Sequence, residues 1–307
     1  MSDKGLVSVI MPAYNAEANI EEACCSVLGQ TYKHIELLVI DDGSSDGTVR
    51  ILERLQESDQ RLKFHTIGNS GVSTARNFGI NKANGTYIGF LDADDMYHPE
   101  KIQKQVNFLD SRACDAVVTG IQRFMDASSE RQWLSRSFPP DLGENARFEL
   151  TYNLPTNQYV LFNTVLAKRY VFEMGELYEP GLKTGEDWDL WIKLSRHFRF
   201  EGLAEPLFFY RKHETSSSAA YRETMTLNAH LSILNHAVTP GDSKSRIRRR
   251  VRSKYLEFLN NALFKGAYGD AAIIALKGCL LVGIFLDGRF YEILKDRLAE
   301  KLGSQRG

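Results

Sequence analysis

Cysteine is scarce, with four in 307 residues. Cys24, Cys25, Cys114 and Cys279 have no metal-ligand spacing, and the adjacent Cys24 and Cys25 suit neither a simple disulfide nor a CxxC redox site. They read as reduced thiols, so the chain is expected in the cytoplasm. Long apolar runs are missing as well. No stretch reaches the roughly 18 uninterrupted residues of a membrane span. The nearest, "AAIIALKGCLLVGIFLDG" at 271–288, is broken by Lys277 and Gly278 and fits a buried helix better than one lying on a membrane. The N-terminal "MSDKGLVSVIMPAYN" lacks the apolar core and cleavage site of a signal peptide. An excess of one charge is absent too: the formal net charge is −1, which excludes a chain-wide basic surface for nucleic acid. What remains is ordinary globular usage, 43% hydrophobic and 25% charged, enough for a large core.

The first half alternates in type. "LVSVIMPAY", "HIELLVI", "LKFHTI" and "TYIGFLDA" read as strands. Between them, "AEANIEEACCSVLGQ", "SDGTVRILERLQES" (capped by Ser45 or Asp46) and "GVSTARNFGINKANG" (ended by Gly85) read as helices. Strands apolar along their whole length imply a parallel sheet covered on both faces, with ligands bound outside the strands' carboxyl ends. "HPEKIQKQVNFLDSR" predicts a helix and "DAVVTGIQRFM" a strand, while the polar 126–146, with Pro139 and Pro140, reads as a loop. A helix is expected from about Glu186 and a strand pair over "FRFEGLAEPLFFYRKH". From about residue 219 the chain reads as helical, with a basic stretch "KSRIRRRVRSK".

Two strand ends carry carboxylates in excess: "VIDDGSSDGT" at 39–48 and "YIGFLDADD" at 87–95. Such pairs can ligate a hard divalent cation and accept hydrogen bonds from a ribose. Each alone is equally at home in a capped turn, because Asp favours local hydrogen bonding there. On strands of one sheet they edge a single crevice.

Together with "VSVIMPAYN", "NSGVSTARNFGINKANGTYIGFLDADD", "GEDWDLWIKL" and "YRKHETSSS", these blocks resemble the family 2 glycosyltransferases, in order and over roughly residues 6–218. The resemblance implies an α/β fold of GT-A type, with a Rossmann-like, mostly parallel sheet and helices on both faces. It implies a catalytic domain over 1–218, followed by a C-terminal helical region over 219–307. It implies a metal-dependent, inverting enzyme that moves a sugar from a nucleotide-sugar, foremost a UDP-sugar, to an acceptor hydroxyl in bacterial-type surface polysaccharide or glycoconjugate synthesis.

By the same resemblance, Pro12 and Tyr14 would line the base pocket and Asp42, rather than Asp41, would accept from the base. Asn69 and Arg76 would lie near base and phosphates. Asp92 would meet the ribose and Asp94 the Mn²⁺ or Mg²⁺ that bridges the diphosphate, with His213 within reach of that metal. Asp187 would be the general base and Glu186 its orienting partner. Arg211 and Lys212 would be placed to meet phosphate. Trp191 is expected in the core.

The chain departs from processive relatives in lacking a "QxxRW" after the "GEDWD" block, so one or a few sugars per acceptor are expected. The acceptor is expected to be a glycan or a lipid-linked glycan, with no nucleic acid partner. The helices after 219 leave open self-association, an acceptor role, or contact with the inner face of a membrane through the basic stretch. Two other classes compete. A nucleotidyltransferase would carry a Gly-rich basic signature near the first strand, which "MPAYNAEANIEEA" lacks. An inactive binding module of the same fold would be expected to lose Asp94 or Asp187.

Overall fold

The structure is a computed structural model that describes residues 5–126, 131–139, 162–174, 177–180, 182, 185–195 and 197–212. The chain divides into two units, Met1–Ala220 and Tyr221–Gly307, and every described residue lies in the first. His213, the helices expected after 219 and the apolar stretch 271–288 therefore fall outside the described residues.

The apolar runs form the strands they predict: β1 (Val7–Ala13), β2 (Ile35–Asp41), β3 (Leu62–Thr66) and β4 (Tyr87–Phe90). Every residue of β1, β2 and β4 is buried, and these strands pair in parallel in the order β3-β2-β1-β4. Their connections are α1 (Ile20–Leu28), α2 (Thr48–Ser58) and α3 (Val72–Lys82). Val7, Val9 and Met11 of β1 join α1 and α2 through Ile20, Cys24, Val27 and Leu52. Ile10 points the other way and meets α3 at Gly79. The period-2 alternation of a strand thus covers both faces of the sheet with helices. Each fully buried Val, Ile or Leu contributes on the order of 1.5–3 kcal/mol.

The sheet continues as β5 (Met96–Tyr97), β6 (Ala116–Asp126), β7 (Arg131–Ser137), β8 (Leu166–Lys168) and β9 (Phe200–Arg211). Helices α4 (Lys101–Ser111), α5 (Tyr170–Glu173) and α6 (Glu186–Ser195) complete the unit. Beyond β4 the order is β8-β6-β9-β5, with β7 beside β6. β8 runs antiparallel to β4 and β6, β5 to β9, and β7 to β6, while β6 and β9 are parallel. The sheet is mixed, with its parallel half at the N-terminal end of the chain. Among the described residues no helix is long and apolar enough to cross a membrane.

Three expectations are corrected. Residues 131–137, read as loop, form β7. Its residues are mostly exposed, so no apolar alternation marks it, and it holds through its ladder to β6 and through Trp133, which packs on Phe124 and Phe209. The expected strand pair near 200–211 is one strand. β9 runs parallel along β6 with register shifts around Gly120, opposite Pro206, so the irregularity that reads as a turn is a bulge. Helix α3 ends at Lys82 and not at Gly85. Gly85 serves a close approach instead: a Cβ there would lie 2.6 Å from the Ser8 backbone nitrogen.

Candidate active site

A cleft of about 500 Å³ opens at the carboxyl ends of β1 and β4, lined by Pro12, Tyr14, Asn15, Asp42, Asp92 and Asp94 among others. The chain leaves β1 through Asn15, whose φ of 48° lies in the left-handed region that Asn tolerates better than most residues. Its side chain accepts from the Ser45 N–H at 2.8 Å, and its own N–H donates to Ser44 Oγ at 2.9 Å. The "PAYN" and "DDGSS" loops are therefore stitched into one wall. Pro12 is buried and Tyr14 exposed, which leaves a ring available at the rim.

The Asp42 carboxylate accepts from the Ser70 N–H at 2.7 Å and the Gly71 N–H at 2.8 Å, which ties β2 to the start of α3. Gly71 has φ +87°, a conformation only glycine adopts cheaply. Asp41, the other member of the pair, is buried away from the cleft. Its Oδ1 accepts from Ser44 N–H at 3.2 Å, and its Oδ2 has no partner among the described residues. Asn69 is exposed beside the Gly43 turn and does not line the cleft.

Arg76 is engaged by carboxylates beside the cleft. It is 5% exposed and spans two carboxylates, Nη2 to Asp92 Oδ1 at 2.9 Å and Nη1 to Glu186 Oε1 at 2.8 Å. Its guanidinium stacks over the Tyr178 ring at 5.4 Å. Burial alone would lower its pKa, but Asp92, Tyr178 and Glu186 outweigh burial and raise it, so it stays charged. One arginine thereby joins the "DADD" strand end to the first turn of α6. Both elements are remote in sequence.

Asp187 follows Glu186 in that turn. It is partly exposed at its surface, and its Oδ1 accepts from its neighbour's Trp188 N–H at 2.8 Å. Burial of the carboxyl, the charge of Glu186 and that of Asp92 push its pKa up to about 7, against the opposing pull of Arg76 and the Trp188 N–H. A carboxylate so poised can take a proton near neutral pH. Trp191, one turn on, is fully buried among Phe90, Phe172 and Phe200, as expected of a core residue.

Sequence reasoning missed Asn163, in the turn Phe162–Thr164, which touches Asp92 and Asp95. It placed Arg211 against phosphate, whereas Arg211 is buried and its guanidinium reaches Glu22, Asp126 and the Asp94 carbonyl. No motif flags Asn163. The single signal for Arg211 is that it ends an apolar strand, where a buried charge needs partners.

The residues present fit a divalent cation of the hard, oxygen-seeking kind. Asp94 faces the cleft and Asp92 keeps part of its side chain exposed. Among the described residues no group of three or more His, Cys, Asp or Glu could hold a metal by itself.

The model of the Glycosyl transferase family 2 matches residues 8–171, more than half of the chain and most of the elements just described. The chain belongs to glycosyltransferase family 2. It is 34% identical over 219 residues to TuaG of Bacillus subtilis (strain 168), named for teichuronic acid biosynthesis, covering 70% of this chain and 82% of that one. It is 33% identical over 220 residues to the uncharacterized glycosyltransferase EpsJ of the same organism, covering 69% and 62%. In fold, the glycosyltransferase is similar to S. aureus TarS 1-349 in complex with UDP-GlcNAc, at TM-score 0.61 and 20% identity over 83% of this chain and 72% of that one. It is also similar to the mannosyltransferase PcManGT from Pyrobaculum calidifontis in complex with GDP-Man and Mn²⁺, at TM-score 0.62 and 17% identity over 98% and 89%. The GT-A-like fold of the glycosyltransferase is thereby established.

Proposed function

We propose that this glycosyltransferase is metal-dependent and inverting, takes a nucleotide-sugar donor, foremost UDP-linked, and builds a bacterial surface polysaccharide. The names of TuaG and TarS's bound UDP-GlcNAc support the pathway and the donor. The observation that carries the mechanism is Asp187 with its pKa near 7, joined to the donor cleft through Glu186, Arg76 and Asp92.

In this reading Tyr14 and Pro12 pack on the base, Asp42 accepts from it with the lone pairs its backbone partners leave, and Asp92 meets the ribose. Asp94 would hold a divalent cation, and that cation would supply the positive charge that offsets what develops on the departing diphosphate. Arg76 acts on the cleft through Asp92 and Glu186. The acceptor hydroxyl attacks the anomeric carbon from the face opposite the diphosphate. As that C–O bond forms and the bond to phosphate oxygen breaks, Asp187 takes the hydroxyl proton. Glu186, held by Arg76, keeps the base in place. A group so tuned is hard to reconcile with an inactive binding module.

The test is calorimetric titration of UDP, GDP and CDP, with Mn²⁺ and with chelator, followed by NMR of the product's anomeric configuration. Mn²⁺-dependent preference for UDP and an inverted product support the proposal. Preference for GDP moves the donor class, and a retained configuration overturns the role of Asp187.

A further inference from the structure

The end of β4 delivers three carboxylates in four positions, and like charges so close repel. What holds them is a side chain no motif marks. Asn163, 4% exposed, accepts the Asp92 N–H on Oδ1 at 3.1 Å. Its Nδ2 donates to Asp92 Oδ2 at 3.0 Å and to Asp95 Oδ2 at 3.1 Å. A backbone N–H can only donate, and these carboxylate oxygens receive donors, so this orientation of the carboxamide satisfies all three contacts. Flipping it would break every one.

The turn that bears Asn163 is itself fixed. Gln105 of α4 donates to the Thr164 carbonyl at 2.9 Å and to the Val117 carbonyl at 3.1 Å. Across the strand end, the Arg211 N–H donates to Asp95 Oδ1 at 2.8 Å, and Arg211 Nε donates to the Asp94 carbonyl at 2.7 Å. Asp95 thus takes one donor on each oxygen, from Asn163 on one and Arg211 on the other. Asp94 sits between the two gripped residues and lines the cleft, while Asn163 does not.

We infer that Asn163 is a positioning residue: by gripping Asp92 and Asp95 it sets the backbone between them and so aims Asp94 at the cation. The inference rests on the donor-site reading above. Hydrogen-bond partners of a metal ligand typically change metal affinity by roughly 10–100-fold when altered; Asn163 acts one bond further out, through Asp92 and Asp95, so the lower end of that range is expected.

The test uses the full chain. Asn163→Asp keeps the shape and the acceptor for the Asp92 N–H, but turns both donors into acceptors facing carboxylates. Mn²⁺-dependent UDP binding by calorimetry, and Mn²⁺ affinity in the presence of UDP by electron paramagnetic resonance, are expected to weaken by roughly 10-fold. The double variant Asn163→Asp/Asp95→Asn exchanges donor and acceptor. The carboxamide introduced at position 95 keeps an oxygen for the Arg211 N–H and offers its NH₂ to the carboxylate introduced at position 163. That remakes the contact to position 95 and leaves the one to Asp92 Oδ2 unmade, so part of the lost affinity is expected to return. A merely structural role would lower the melting temperature of Asn163→Asp and leave the Mn²⁺ affinity of the folded protein unchanged.

Wild-type affinity in Asn163→Asp, or no recovery in the double variant, overturns the inference. If Asn163→Asp fails to fold, Asn163→Ala, which removes the donors without adding charge, carries the same expected loss, and wild-type affinity there overturns it. Asp94→Ala run alongside separates two failures. If Asp94→Ala keeps cation-dependent binding, the donor-site reading falls and takes this inference with it. If Asp94→Ala loses binding while Asn163→Asp keeps it, only this inference falls.

Discussion

Asp187 in the folded protein has a pKa of about 7, against a usual 3.8. Between those values the folded chain keeps a proton that the unfolded chain has released, so stability falls as pH rises through that window and levels off above it. About three pH units at about 1.36 kcal/mol each set an upper limit near 4 kcal/mol. Partial exposure of Asp187 and the shared field of Glu186 reduce this to about 2 kcal/mol. Asp187→Asn keeps the shape and the bond from Trp188 N–H but cannot ionise. Its melting temperature should exceed that of the parent by about 4–8 °C near pH 8.5, with the gain shrinking to little near pH 4. The same ionisation should govern chemistry: kcat/KM should rise with pH through about 7, and Asp187→Asn should bind UDP while transferring no sugar. Scanning fluorimetry across pH, paired with a UDP-release assay, reads both. A stabilisation that does not change with pH, or a flat activity profile through neutrality, refutes the assignment.

Arg76→Lys, which cannot span Asp92 and Glu186 together, should cost about 2 kcal/mol by urea denaturation and lower kcat more than it raises KM. Equal stability would sink the bridging role. Lys101 is buried with its Nζ on Gln105 Oε1 at 2.8 Å and over the Tyr97 ring, and burial pushes its pKa well below the usual lysine range. A lowered lysine pKa makes stability rise with pH between the folded and unfolded values, so Lys101→Met should abolish that slope, whatever its constant offset; an unchanged slope in denaturation at several pH values counts against it. At Gly79 an added Cβ would lie 2.4 Å from Ile10 Cγ2. Gly79→Ala should therefore destabilise by about 1–3 kcal/mol alone and by much less in an Ile10→Ala background, as a double-mutant cycle would record.

The parallel half of the sheet was readable because β1, β2 and β4 are buried on both faces and so are apolar at nearly every position. The cleft was readable for the same reason: polar residues that interrupt such strands tend to lie at their ends. β7 was not, because an exposed strand held by backbone pairing leaves no pattern in its side chains. Arg76 was found and its setting was not. The planar fork that suits two phosphate oxygens suits Asp92 and Glu186 equally well, and only the distance between elements decides. Asn163 lies 71 positions from Asp92, beyond any local signal.

The grip of β9 on the carboxylate loop also orders events in time. Asp95 is synthesised 116 positions ahead of the Arg211 that holds it. While the polypeptide is still emerging from a ribosome, β1 to β4 already have their parallel partners, yet Asp94 and Asp95 must wait for the twelve residues of β9. The hold on the "DADD" strand end therefore comes late in the birth of this unit, and a chain cut short before residue 211 would lack it.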